Sequence, residues 1–258
     1  RVKFGHVEAG LRTHDKWQPF PEEVNRRVAG VIADLHFAPT QWARNNLLRE
    51  GIDEKSIKVT GNTVIDALQF VKEQPEPQEI KRLIEELRIG EKRLILVTAH
   101  RRENFGQPIE NICLALKELA RRGDVEIVYP VHLNPNVQEP VKRLLKDTRH
   151  ITLLPPMDYL PLVHLMKRAA LILTDSGGIQ EEAPAFGVPT LVLRDVTERP
   201  EGVEAGTLEL VGTERSHIVN AAQRLLDDEA EYAKMAKSAN PYGDGHAAER
   251  IVQHLGSL

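Results

Sequence analysis

The sequence predicts an α/β protein whose larger part is a doubly wound parallel sheet. Two observations carry this. Six short, nearly continuous apolar runs stand at Leu94–Thr98, Glu126–Pro130, Ile151–Leu154, Leu171–Thr174, Thr190–Leu193 and Leu208–Val211. Helical stretches such as Pro108–Arg121 and Val137–Lys146 separate most of them. Strands that are apolar along both faces are buried on both, as helices on either side of a parallel sheet require.

The first sixty residues also alternate. Val2-Lys3-Phe4 reads as a strand, and Pro21 opens a helix with acids ahead of bases. Asp34–Ala38 reads as a strand. Thr40 is the expected N-cap of a helix from Gln41 to Glu50 that Gly51 closes. Ile57–Thr60 is a further strand, and Val64–Val71 a helix. The polar stretch Glu73-Gln74-Pro75-Glu76-Pro77 is the best linker in the chain. The tail is expected to be helical over Ser216–Ser238 and His246–Leu255, with a turn at Pro241–Gly245.

Bulk properties exclude several classes. Of 258 residues, 41% are hydrophobic and 28% charged, with a net charge of −4. That balance is globular and argues against nucleic-acid or anionic-membrane binding. No apolar run approaches a membrane span, and no signal peptide is visible. The single cysteine, Cys113, lies in an apolar helical pattern and reads as a buried small hydrophobe. One cysteine allows no disulfide within a chain, in keeping with a reducing compartment. The chain opens at Arg1 without Met and enters a motif at once, so it is expected to be N-terminally incomplete.

Ligands of doubly wound sheets sit beyond the C-terminal ends of strands, so motifs there carry the most weight. Thr174-Asp175-Ser176-Gly177-Gly178-Ile179-Gln180-Glu181-Glu182 follows a strand and opens a helix. Glycines let backbone N–H groups approach a ligand, the helix N-terminus favours an anion, and Ser176 adds a hydroxyl. The plain alternative is a tight turn. It is neither a Walker loop nor a dinucleotide fingerprint. Glu182, one turn on, is placed either for ribose hydroxyls or for solvent. Arg194–Glu201 follows the next strand, and its Arg194 and Arg199 suit an oxyanion, or simply neutralise their acidic neighbours. His100 with Arg101 and Arg102 ends one strand, and His132 ends another. Glu8, between small residues after the opening strand, is poised for a cleft. Glu22 and Arg26 share a helix face, where an ordinary ion pair is the alternative. The ten histidines form no His-Glu-x-x-His, so no metal is expected. No Gly-x-Ser-x-Gly elbow points to a hydrolase.

Gly5–Thr13, Pro19–Arg26, Thr60–Thr63, His100–Gly106, Tyr129–Pro135, Thr174–Pro184, Leu193–Gly206 and Pro241–Gly245 together resemble the bacterial non-hydrolysing UDP-N-acetylglucosamine 2-epimerases. The blocks run in order over essentially the whole chain. The resemblance implies a GT-B-like fold of two Rossmann-like domains facing a cleft, the first only partly present. Its domain division is 1–63 for the end of the N-terminal domain and 64–240 for the UDP-binding domain. Residues 241–258 would be a helix packing back toward the first. It implies C2 epimerisation of UDP-N-acetylglucosamine to UDP-N-acetylmannosamine by elimination and re-addition of UDP, without a cofactor. Ser176, Gly177 and Gly178 would hold the diphosphate, Glu182 the ribose, and Arg199 and His100 the nucleotide sugar. Glu8 and Glu22 would be catalytic, with His100, while Arg26 and Arg101 assist binding. In many relatives substrate also activates the enzyme near Glu22, Arg101 and His132. A homodimer in the cytoplasm, serving envelope polysaccharide synthesis, completes the expectation.

The resemblance has departures. The Gly-Thr-Arg-Pro-Glu and His-Gly-Asp-Thr blocks, the second with a catalytic Asp, would precede Arg1. Leu162 stands where relatives have Phe beside the uracil, and Met157 where they have Gln. Three rivals remain: a GT-B glycosyltransferase, a hydrolysing epimerase, and a catalytically incomplete UDP-binding fragment.

Overall fold

Nine strands among the described residues, 2–256 of the computed structural model, pair in parallel to form two separate sheets. In chain order the first part holds β1 (Gly5–Val7), α1 (Glu22–Ile32), β2 (Leu35–Ala38), α2 (Gln41–Arg49), β3 (Ile57–Val59) and α3 (Thr63–Lys72). There follow α4 (Gln78–Glu86), β4 (Arg93–Thr98), α5 (Gln107–Ala120), β5 (Val125–Pro130), α6 (Pro135–Leu145), β6 (Ile151–Leu154), α7 (Tyr159–Arg168) and β7 (Leu171–Thr174). The last are α8 (Gly177–Glu182), β8 (Thr190–Val192), α9 (Pro200–Glu204), β9 (Leu208–Leu210), α10 (Arg215–Asp227), α11 (Glu229–Ala236) and α12 (Ala247–Gly256).

The chain divides into two units. Residues up to Phe70, Val196–Gly202 and those from Asn240 form the first; Val71–Asp195 and Val203–Ala239 form the second. The first carries the sheet β1-β2-β3. Its opening strand differs from the sequence expectation of Val2–Phe4: the ladder instead pairs Gly5 with Leu35, His6 with His36 and Val7 with Phe37. Residues before Gly5 would have to pair with the turn that ends α1. Phe4 braces that turn instead, donating its N–H to Asp34 at 2.8 Å and accepting the Asp34 N–H at 2.8 Å. Thr40 caps α2 as its position predicts, accepting the Ala43 N–H at 3.1 Å. Asp66 accepts the N–H groups of Ala247 and Ala248 at 3.0 and 2.8 Å, supplying partners that the start of α12 lacks.

The second unit carries the order β6-β5-β4-β7-β8-β9. The chain therefore winds outward from β4 through β5 to β6, returns to β7 beside β4, and winds the other way. This is the doubly wound arrangement, with its switch point between β4 and β7. Alternate residues Ile95, Val97, Ile127, Tyr129, Leu171 and Leu173 face a dry core with Ile112, Leu116, Ile218 and Leu225 from α5 and α10. Cys113 belongs to that core, and burial pushes its thiol up to about 12, so it packs rather than reacts. The linker Glu73–Pro77 is tied down, since Glu76 accepts two Arg168 N–H groups at 3.1 Å. The continuous helix expected over Ser216–Ser238 is broken at Asp228 (φ −113°, ψ 104°). Its carboxylate accepts the Ala230 and Glu231 N–H groups at 2.9 and 3.1 Å, so an N-cap starts α11 afresh. No helix among the described residues is long and apolar enough to cross a membrane.

Candidate active site

The switch point brings the loop after β4 beside the loop after β7. Between them and β5 lies a cavity of about 310 Å³. His100, His132, Ser176, Gly178 and Glu182 line it, with Tyr159, Met157 and Leu162. Gly178 has open space where a Cβ would project, so backbone is exposed to whatever enters. Gly177 is buried. Ser176 precedes α8 without spending its hydroxyl on a helix cap, while its N–H donates to Thr174 Oγ1 at 2.9 Å.

Asp175 organises these loops from beneath and is fully buried. Its Oδ2 accepts the backbone N–H groups of His100 and Arg101, both at 2.8 Å, and the Asn104 amide at 2.9 Å. The Arg101 side chain is turned to the same place: its Nε donates to the Asp175 carbonyl at 2.9 Å. The rings of His100 and His132 stack at 5.4 Å with 15° between planes. Burial is the main force lowering the His100 pKa; Asp175 opposes it, and His132 and Arg101 add to it. Burial raises the Glu182 carboxyl against the Tyr159 hydroxyl, which donates to its Oε1 at 3.0 Å.

The first unit gathers a second group. Glu8 sits at φ +64°, a left-handed conformation that a non-glycine residue rarely adopts. Gly10 (φ +89°) has no room for a side chain, because a Cβ would lie 2.2 Å from the Ala43 carbonyl of α2. Asn46 clamps the same turn by donating to the Gly10 carbonyl at 3.0 Å. Asn62 donates to Glu8 Oε1 at 3.2 Å, and Arg199 approaches that oxygen at 3.5 Å. Arg199 also pairs with the buried Glu198 at 2.8 Å, and Arg26 reaches Glu198 at 3.7 Å. Arg26 therefore joins Glu8 through Glu198 and Arg199. Glu22 is exposed at the start of α1 and makes no ion pair among the described residues.

Sequence reasoning gave no role to Asp175, Glu198 or Glu23. Glu23 is fully buried and accepts the Thr13 and His14 N–H groups at 3.2 Å each, holding the Glu8 loop from α1. Asp175 had a signal: an acid directly after an apolar strand, inside the motif. Glu198 and Glu23 had none, since each stands among other acids and its burial, although its partners Arg199, Thr13 and His14 are near in sequence, appears only on folding. Larger hollows exist, one of about 820 Å³ lined by Lys92, Lys117, Arg121, Glu126 and His150. It lies at the N-terminal ends of β4 to β6, where helix C-termini point. Its cations complement those dipoles, and it is far from the edge that binds ligands in such sheets.

A family described as UDP-N-acetylglucosamine 2-epimerase matches residues 1–256. The UDP-N-acetylglucosamine 2-epimerase of Escherichia coli (strain K12) is 53% identical over 262 residues, covering 99% of this chain and 69% of the relative. That of Yersinia pestis is 55% identical over 260 residues, with the same shares. The crystal structure of the Neisseria meningitidis UDP-GlcNAc 2-epimerase bound to UDP-GlcNAc is 48% identical, with a TM-score of 0.95 over all of this chain and 70% of that one. A Methanocaldococcus jannaschii UDP-GlcNAc 2-epimerase in complex with UDP-GlcNAc and UDP is 36% identical, with a TM-score of 0.84 over all of this chain and 70% of that one.

Proposed function

The chain belongs to the UDP-N-acetylglucosamine 2-epimerase family, whose reaction inverts C2 without hydrolysis, and we propose how its residues divide that work. The fold is GT-B-like, and transfer to an acceptor or hydrolytic release is not favoured. The observation that carries the assignment of residues is the 310 Å³ cavity at the switch point, with Ser176, Gly178, Glu182 and His100 on its walls.

The C2 hydrogen of the sugar has no adjacent carbonyl, so direct abstraction is too costly. Breaking the C1–O bond to UDP places positive character on C1 and acidifies that hydrogen. A base takes the C2 proton as UDP departs with the bonding pair, leaving a glycal. Re-addition of UDP to C1, with a proton delivered to the other face of C2, gives the epimer. Ser176, Gly177 and Gly178 hold the diphosphate with backbone N–H groups and a hydroxyl. Glu182 holds the ribose hydroxyls. Arg199 and His100 stabilise the charge that grows on the leaving UDP, and Arg101 adds a further cation. Glu8 and Glu22 share the proton transfers, with Arg26 beside them in the electrostatic network. Glu8 is supported by its strained backbone and its Arg199 and Asn62 contacts. Substrate activation through Glu22, Arg101 and His132, a homodimer and a cytoplasmic location complete the proposal.

Incubation with UDP-N-acetylglucosamine in D₂O, followed by NMR of the sugar protons, tests the assignment. UDP-N-acetylmannosamine carrying deuterium at C2 is expected, and Glu8→Gln is expected to lose that exchange. Free UDP with unlabelled sugar would overturn the mechanism, and full activity in Glu8→Gln would remove Glu8 from it.

A further inference from the structure

His100 and His132 lie near-parallel and offset on the wall of the cavity, yet the protein treats their Nδ1 atoms in opposite ways. The Asn134 backbone N–H donates to His132 Nδ1 at 3.0 Å. That nitrogen must therefore offer a lone pair, and the ring proton of neutral His132 sits on Nε2. His100 Nδ1 faces Asp175 Oδ1 at 3.6 Å. The other oxygen, Oδ2, is taken by three donors, whereas Oδ1 is buried with no hydrogen-bond partner. A carboxylate oxygen only accepts. A lone pair on His100 Nδ1 would repel it, while a proton there is attracted to it across 3.6 Å, a charge contact longer than a hydrogen bond.

We propose that Asp175 and the Asn134 N–H fix opposite tautomers in the stacked pair. His100 carries its proton on Nδ1 and offers an Nε2 lone pair; His132 offers an Nε2–H. Asp175 is thus a positioning residue acting through His100, besides anchoring the loops. The proposal rests on the reading of this cavity as the UDP-sugar site and sharpens it. Phosphate oxygens only accept, so they match His132. A sugar hydroxyl or the acetamide N–H donates, so it matches neutral His100. When UDP leaves with its negative charge, a proton from solvent onto the His100 Nε2 lone pair gives an imidazolium beside the anion, which Asp175 compensates.

The test is histidine ¹⁵N NMR of the chain at pH 8, with His100→Gln and His132→Gln spectra assigning the two rings. The wild-type spectrum is expected to show the Nδ1–H form for His100 and the Nε2–H form for His132. Asp175→Asn keeps an acceptor for the three donors but turns an amide toward His100 Nδ1. It is expected to flip His100 to the Nε2–H form and to lower kcat about 10-fold or more, with UDP affinity held within about 3-fold. A wild-type His100 in the Nε2–H form overturns the proposal without need of any variant. So does an Asp175→Asn protein whose melting temperature falls while the His100 tautomer stays. UDP that moves neither imidazole signal would count against the cavity as the nucleotide site, an outcome separate from the tautomers.

Discussion

In the second unit one buried carboxylate, Asp175, gathers neutral N–H donors from three residues beneath the cavity. In the first unit Glu8, with 43% of its side chain exposed, is held by an amide and by a guanidinium that a second carboxylate, Glu198, anchors. The first design fixes geometry, because each backbone donor has one direction. The second fixes charge, because Glu8 and Glu198 share the field of Arg199 and Arg26. The roles proposed for them fit this: binding a diphosphate asks for shape set in advance, whereas moving protons asks for groups whose charge is balanced by neighbours. The surroundings differ in the same sense. The second unit's strands run through a dry core. On α1 of the first unit, Val28, Val31 and Ile32 are exposed while Glu23 and Gly30 face inward.

The comparison breaks most sharply at Asp175. Asp175→Ala strands two backbone N–H groups and the Asn104 amide in a buried place, and is expected to cost about 3–5 kcal/mol in urea unfolding. Glu198→Gln should cost less, about 2–4 kcal/mol, because the amide oxygen still accepts from the guanidinium groups and Arg26, with 19% of its side chain exposed, keeps access to solvent. Its effect should also shrink in high salt, since the charge it leaves unbalanced on Arg26 is part exposed, whereas the donors left by Asp175→Ala are neutral. Equal losses with equal salt dependence would erase the distinction between the two designs.

How much of this was legible follows the same divide. Ile151–Leu154 and Leu171–Thr174 were read to the residue, because a continuous apolar run signals a strand covered on both sides. The Ser176–Gly178 turn and Glu182 were legible for a related reason: they follow such a strand and open a helix, and the switch point then collects them with His100. The opening strand was misplaced because Val2 and Phe4 look like strand residues, yet Val2 is 97% exposed and only Gly5–Val7 finds a partner. The break at Asp228 was lost because a capping side chain outweighs helical periodicity there. Glu23 and Glu198 illustrate the deeper limit. Each is an acid among other acids in sequence, and only contacts made on folding single one out for burial.

Gly10 tests whether the first unit's backbone strain is held by packing. Gly10→Ala must move a methyl away from the Ala43 carbonyl at φ +89°. A loss of about 1–3 kcal/mol is expected, with a larger fall in kcat than in substrate affinity as Glu8 is displaced. Unchanged kinetics would mean that the loop position is irrelevant to Glu8.

The smallest effect expected is at Tyr159, and it sharpens the account of the second unit. Tyr159→Phe removes the hydroxyl that donates to Glu182 Oε1. One hydrogen bond to a carboxylate is lost, about 1–2 kcal/mol. Burial already raises the Glu182 pKa, and Tyr159 opposes that rise. A carboxyl whose folded pKa is raised favours the fold most at pH below its unfolded value, and that contribution is lost as pH rises through the folded value. Without Tyr159 the folded pKa climbs further, so the variant's deficit should be largest at neutral pH and shrink on acidification. UDP binding should run the other way, because the role proposed for Glu182, holding the ribose hydroxyls, calls for its ionised form. Calorimetry should show UDP affinity falling as pH drops through the raised pKa, and falling at a higher pH in the variant. With 2′-deoxyUDP the variant and the wild type should converge, since a lost hydroxyl leaves Glu182 less to hold. A variant that weakens UDP and 2′-deoxyUDP equally at every pH would detach Glu182 from the ribose.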